Sequence, residues 1–303
     1  MNRKISNTAQ VASVRRYTLT DGREAGIQVV DCDNGKVRFL INISHGLDIM
    51  QLYHEGQNMS FVSKNGFVNE NISFLSRFEG GMIYTCGLDN VGAPKDNCGQ
   101  HGSYHTTPAE LVSAVCDGEK ITVEGIVRYT ALFGANLVMR RKITSYLGSS
   151  EVKIEDTLTN EGYKSAEYCL LYHTNIGYPM LDADARVECD PVTIKGSDDR
   201  SESFIDVAFK MTEPEDEREE ECFFLKLREP KVSLVNEKIG KRFTVDYSGD
   251  TLTELVLWRS MVSGDYALGI EPATTTLGED FKRNTLGVRE SVSFFVSLSV
   301  DKL

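Results

Sequence analysis

The sequence is poor in the residues that mark special scaffolds. Its 303 residues include one tryptophan, seven prolines and five histidines. The seven cysteines are odd in number, none falls in a C-x-x-C pair, and Cys86, Cys169 and Cys222 sit inside apolar, strand-like runs. That usage argues against a disulfide framework or a zinc ribbon and fits small, reduced core residues. No apolar run is long enough to span a bilayer, and the first eight residues are polar. The expected protein is therefore cytoplasmic, with no membrane partner. Basic residues are outnumbered 33 to 45, for a net charge of −12, which disfavours nucleic acid or an anionic surface as partner. Long helical periodicity, internal repeats and low-complexity linkers are missing too.

What fills the chain is alternation. Lys120–Tyr129, Asn136–Tyr146 and Glu151–Asn160 alternate apolar and polar side chains, and Glu290–Leu298 does so again. Asp21-Gly22 and Asn34-Gly35 are hairpin signals between such runs. Many strands at short, even spacing predict an all-β protein, a sandwich or a barrel, in one domain over residues 1–303. A short helix is expected within 71–79. His45 and His54 read as surface or turn residues. The acidic stretch from Glu213 to Glu221 reads as a solvated loop or helix face.

One stretch stands apart, Cys169-Leu-Leu-Tyr-His-Thr-Asn-Ile-Gly-Tyr-Pro179. An apolar strand delivers His173 and Asn175 to a turn at a sheet edge, where concave sites are built; a core histidine with a satisfied ring is the plain alternative. Near the C-terminus, Ala267-Leu-Gly-Ile delivers Glu271 just before Pro272 in the same manner. A carboxyl against an apolar wall has its pKa raised toward working pH and suits a general base. Trp258 offers a flat apolar face for a sugar ring, although a core position serves a tryptophan equally. The long polar loop from Lys95 to Thr107 holds His101 and His105, four apart as in zinc helices. Gly102, Ser103 and Pro108 argue against a helix there, so no metal is expected and polar, ligand-facing histidines are preferred.

Gly80-Gly-Met-Ile-Tyr-Thr-Cys-Gly-Leu-Asp-Asn-Val-Gly92, Gln100-His-Gly102, Leu171–Pro179 and Gly269-Ile-Glu-Pro-Ala-Thr274, in this order, resemble the galactose mutarotase-like superfamily. The closest resemblance is to its aldose 1-epimerase-related branch of unknown function (DUF4432-like). Ser44-His-Gly-Leu-Asp-Ile49 resembles an early motif of that branch. The resemblance implies a β-supersandwich of antiparallel sheets with few short helices. It places His173 as general acid, Glu271 as general base, and His101 as a second active-site histidine. It makes Arg77 a substrate-binding residue, and we add His105, Asn175 and Trp258 as contacts to sugar hydroxyls or faces. Ser103 stands where the branch often has arginine, which leaves the distal sugar contacts undetermined.

The expected activity is interconversion of sugar anomers. Ionised Glu271 takes the anomeric hydroxyl proton while protonated His173 donates to the ring oxygen, with a pyranose-sized gap between them and no cofactor. Two other classes fit the same residues. One is a carbohydrate-binding or regulatory protein that catalyses nothing. The other is a metal-dependent sugar isomerase or lyase with His101, His105, His173 and Glu271 as ligands. The expected partner is a small-molecule sugar, and a homodimer is possible.

Overall fold

A computed structural model describes residues 3–303. It contains three antiparallel sheets, and helix is confined to the single turns α1 (Phe74–Arg77) and α2 (Asp199–Ser203) and three short 3-10 segments. No helix among the described residues is long and apolar enough to cross a membrane.

The first sheet is a meander in chain order: β1 (Ser13–Thr18), β2 (Gln28–Asp33), β3 (Val37–Asn42), β4 (Asp48–His54) and β5 (Gln57–Asn58). Asn34-Gly35 makes its β2–β3 turn, with Gly35 at φ +87°, a left-handed conformation that costs glycine little. After β6 (Ile83–Leu88) come β7 (Glu110–Cys116), β8 (Lys120–Thr130), β9 (Asn136–Tyr146) and β10 (Glu151–Asn160), which form half of an eight-stranded sheet. Its other half is β20 (Ser291–Lys302), β16 (Lys241–Tyr247), β15 (Lys231–Asn236) and β12 (Arg186–Glu188). The third sheet runs β13 (Pro191–Gly196), β14 (Glu221–Leu227), β17 (Glu254–Ser260), β18 (Ala267–Ala273), β11 (Ala166–Ile176) and β19 (Asn284–Leu286), with β6 also paired to β11.

All three sheets feed one buried core, to which Phe39, Leu52, Ile143, Leu158, Phe243 and Leu298 belong. The period of two in each strand sorts side chains between this core and the opposite face. In the third sheet, Leu170, Tyr172, Leu257, Leu268 and Ile270 enter the main core. At alternate positions of the same strands, Cys169, Leu171, Val256 and Ala273 join Tyr84, Cys86 and Val91 in a second apolar cluster on the other face. Burial on both faces explains why β11 and β18 read as nearly continuous apolar runs.

A charged chain crosses the main core. The fully buried Arg141 guanidinium on β9 bridges Asp48 on β4 and Asp156 on β10, the latter at 2.7 Å. Thr85 donates its backbone N–H to Asp48 at 2.8 Å, and the Tyr172 hydroxyl donates to Asp156 at 2.6 Å. These bonds satisfy charges that burial would otherwise penalise heavily.

Several expectations need correction. His45 lies in a turn, as expected, and His54 ends β4, but both are buried and neither is a surface residue. The 213–221 stretch is only partly solvated: Glu215 bridges to Val262, and Glu221 is buried against Arg218 and Arg259. Burial of Arg259 demands a carboxylate nearby, and the acidic run supplies it.

Candidate active site

The cleft lies on the outer face of the third sheet and encloses about 800 Å³. His173, Glu271, Trp258 and Cys222 come from its strands, Phe74 and Phe78 from α1 and its end, and His101 from the polar loop.

Strand register brings the two titratable groups together. β11 pairs with β18 at Leu171–Ala273 and again at Thr174–Ile270. The same register carried through the interval sets His173 opposite Glu271, beside Pro272, whose missing N–H interrupts the ladder. Residues opposite one another in an antiparallel pair share a face, and His173 Nε2 stands 3.2 Å from Glu271 Oε1. The two groups thus touch and have no ring-sized gap between them. Nor do they lie at a turn on the sheet edge: β11 has β18 on one side and β6 with β19 on the other, and both residues are inside strands.

Glu271 needs room on its own strand. A Cβ at Gly269 would collide with Glu271 Oε1 and stand 3.1 Å from Trp258 Cβ and Cε3. Gly269 pairs with Trp258 on β17, so one missing methyl accommodates both side chains. The Trp258 ring lies 5.4 Å from the His173 ring, centroid to centroid, and its indole N–H donates to Glu220 at 2.7 Å.

Burial governs the charges. It raises the Glu271 carboxyl well above the usual carboxylate range, and Glu220 adds to the effect. It pushes the His173 imidazole well below its ordinary value, with His101 contributing. His101, held at φ +60°, is lowered to about 4 by burial and by Arg77. Its ring lies 5.6 Å from that of His173. The pair therefore favours a protonated carboxyl beside a neutral imidazole, the reverse of the ionic arrangement expected from sequence.

Three residues assigned as sugar contacts do not line the cleft. Asn175 is fully buried and donates to the backbone carbonyls of Gly80 and His173 at 3.2 and 2.9 Å. Its polarity serves the segment that crosses the end of β11, where the Phe61 N–H donates to the Asn175 carbonyl. Arg77 donates to the Tyr84 hydroxyl at 2.7 Å. His105 stacks on Tyr84 with ring centroids 3.7 Å apart, facing away into a separate small void. The metal set of His101, His105, His173 and Glu271 is thereby divided between two places. Ser103 is occupied as well, donating its N–H and hydroxyl to Asp89 at 2.9 and 3.1 Å.

Sequence reasoning missed Glu220, Glu219, Phe78 and the Lys64–Asp265 pair, all at the cleft. Only the Trp258–Glu220 contact had a usable signal, an acidic run that leads directly into a strand.

A family described as "Domain of unknown function (DUF4432)" matches residues 24–290. No curated protein matches the chain. Among solved structures, a Klebsiella pneumoniae protein provisionally described as an aldose 1-epimerase is similar at 20% identity and a TM-score of 0.86, over 97% of this chain and 86% of its own. A galactose mutarotase-like protein from Clostridium acetobutylicum is similar at 14% identity and TM-score 0.71, over 97% of this chain and 100% of its own. Galactose 1-epimerase from Lactobacillus acidophilus is similar at 13% identity and TM-score 0.67, over 96% of this chain and 99% of its own. At these identities the likenesses show the fold, which is galactose mutarotase-like.

Proposed function

We propose that this chain, which belongs to the DUF4432 family, is an isomerase of the aldose 1-epimerase type acting on uncharged sugars. The observation that carries this reading is the buried contact between His173 and Glu271 inside a cleft that also presents an aromatic face. The anomeric hydroxyl and the ring oxygen of an aldose hang on one carbon. Two groups in contact can reach both without spanning the ring.

The protonation favoured by burial sets the order of transfers. Glu271, as the acid, gives its proton to the ring oxygen while neutral His173 accepts the anomeric hydroxyl proton. The bond between the anomeric carbon and the ring oxygen breaks and a carbonyl forms, leaving a carboxylate and an imidazolium side by side. Rotation of the carbonyl end and reclosure on its other face return both protons and yield the other anomer. Neither transfer calls for a cofactor. Trp258 supports one sugar face, and His101 stands within reach of a hydroxyl. No arginine lines the cleft among the described residues, and its Lys64 is paired with Asp265 at 2.7 Å. That lining offers little to a phosphate or carboxylate and supports a neutral aldose.

The test is Glu271→Gln, with anomer exchange followed by NMR over a panel of neutral aldoses. Loss of acid–base work is expected to slow exchange by roughly 10²–10⁴-fold while sugar binding persists. Full exchange rates in that variant end the assignment. A non-catalytic binder would bind a sugar in the panel and accelerate none.

A further inference from the structure

Behind Tyr84, away from the cleft, lies a void of about 20 Å³, room for about one water or small ion. His45, Glu79 and His105 border it, and all three are buried. One ligand atom from each lies within 4.8 Å of the other two. His45 Nδ1 is 3.9 Å from Glu79 Oε2, and His105 Nε2 is 3.4 Å from Glu79 Oε1. Neither ring nitrogen has a hydrogen-bond partner. Two unpaired buried nitrogens facing one carboxylate are costly as they stand, and a cation among them would relieve all three.

The opposite side of the His105 ring is already engaged. His105 Nδ1 meets Asp48 Oδ2 at 2.7 Å. Against burial, which lowers it, the Glu79 and Asp48 carboxylates raise the His105 imidazole to about 8, so a metal ion would take the place of the His105 Nε2 proton opposite Glu79. Asp48 is itself fixed by Arg141 and by the Thr85 N–H. This is the supporting arrangement that orients metal-bound histidines: a carboxylate behind the ring, held in turn by its own partners.

We propose that His45, Glu79 and His105 form a binding site for a divalent transition metal, zinc foremost. Two imidazoles and one carboxylate suit zinc, cobalt or nickel over calcium or magnesium, which prefer all-oxygen sets. Arg77 also borders the void and opposes a cation there, but the Glu70 and Glu79 carboxylates border it too and outnumber it. Glu70 stands at the void for a fourth position. The three ligands come from the segment after β3, the segment after α1, and the polar loop. A bound ion would tie those segments together beneath the Phe74–Phe78 side of the cleft. It is separate from the acid–base pair and independent of the isomerase reading.

The full chain, purified untagged and without added metal, is analysed for metal content. It is then stripped with chelator and titrated with zinc and with cobalt. Expected are roughly one metal per chain, visible absorption bands with cobalt, and a rise in Tm with zinc. Glu79→Gln and His105→Gln are expected to lose the cobalt bands and the Tm rise. His54→Gln, at a buried histidine elsewhere, is expected to keep both. Because the wild-type titrations need no variant to fold, they decide alone: a stripped chain that takes up neither zinc nor cobalt and shows no Tm shift overturns the site. Uptake undiminished in a folded Glu79→Gln variant overturns it equally.

Discussion

Gly269→Ala is the sharpest perturbation of the proposed acid–base pair. Gly269 is outside the left-handed region, so its backbone accepts alanine without strain. The added methyl is the only change, and its surroundings are known. It would meet Glu271 Oε1 inside contact distance and Trp258 Cβ and Cε3 at 3.1 Å, where ordinary contacts begin near 3.4 Å. The strand backbone and the core beneath are fixed, so the carboxyl must move. A shift of roughly 1 Å at a reacting group costs on the order of 10²-fold in rate. Overpacking of this kind costs about 1–3 kcal/mol of stability, which leaves a folded protein. Anomer exchange by NMR reads the rate. Trp258 is the sole tryptophan, so intrinsic fluorescence reads the cleft wall directly. Gly99→Ala, where a Cβ meets nothing within 4 Å, controls for loss of glycine as such. Wild-type exchange in Gly269→Ala, with unchanged Trp258 emission, would refute the claim that the position of Glu271 sets the rate.

Two further predictions concern charge. An ionic pair of ordinary groups would exist only between about pH 4.3 and 6.5, and activity relying on it would fall tenfold per unit above that. Burial moves Glu271 up and His173 down, so the neutral pair extends above the ordinary carboxylate range and kcat/KM should not begin to fall at the ordinary histidine value of about 6.5. A steady tenfold decline per unit above the ordinary histidine value contradicts it. Arg141→Met leaves Asp48 and Asp156 buried without their countercharge and should cost roughly 3–5 kcal/mol in urea unfolding; a loss below about 1 kcal/mol, the scale of an exposed pair, would show that the bridge does not hold the frame.

The strands were legible because alternation is a local property. Lys120–Tyr129 and Glu151–Asn160 reveal their period to any reader of the chain, and β8 and β10 form there. The Asn34-Gly35 turn is equally local. His173 and Glu271 could be singled out by type and setting, but their contact depends on the register between β11 and β18, which no short window contains. The same blindness put Asn175 and His105 in the cleft, since a polar residue beside a motif looks like a ligand group. Asn175 instead holds backbone carbonyls, and His105 faces Asp48 and Glu79. His45 and His54 were misjudged for a related reason: a histidine's burial depends on partners such as Glu79 or Lys241, which lie far along the chain.

The two faces of β11 carry separate duties. Tyr172 faces inward and donates to Asp156, in the lattice of bonds around Arg141. His173, the next residue, points the other way into the cleft. Because adjacent positions answer to different neighbours, the lining of the hollow can be rewritten one residue at a time while the frame stays put. A lineage built on this sheet is free to change what the hollow holds without first solving its folding again.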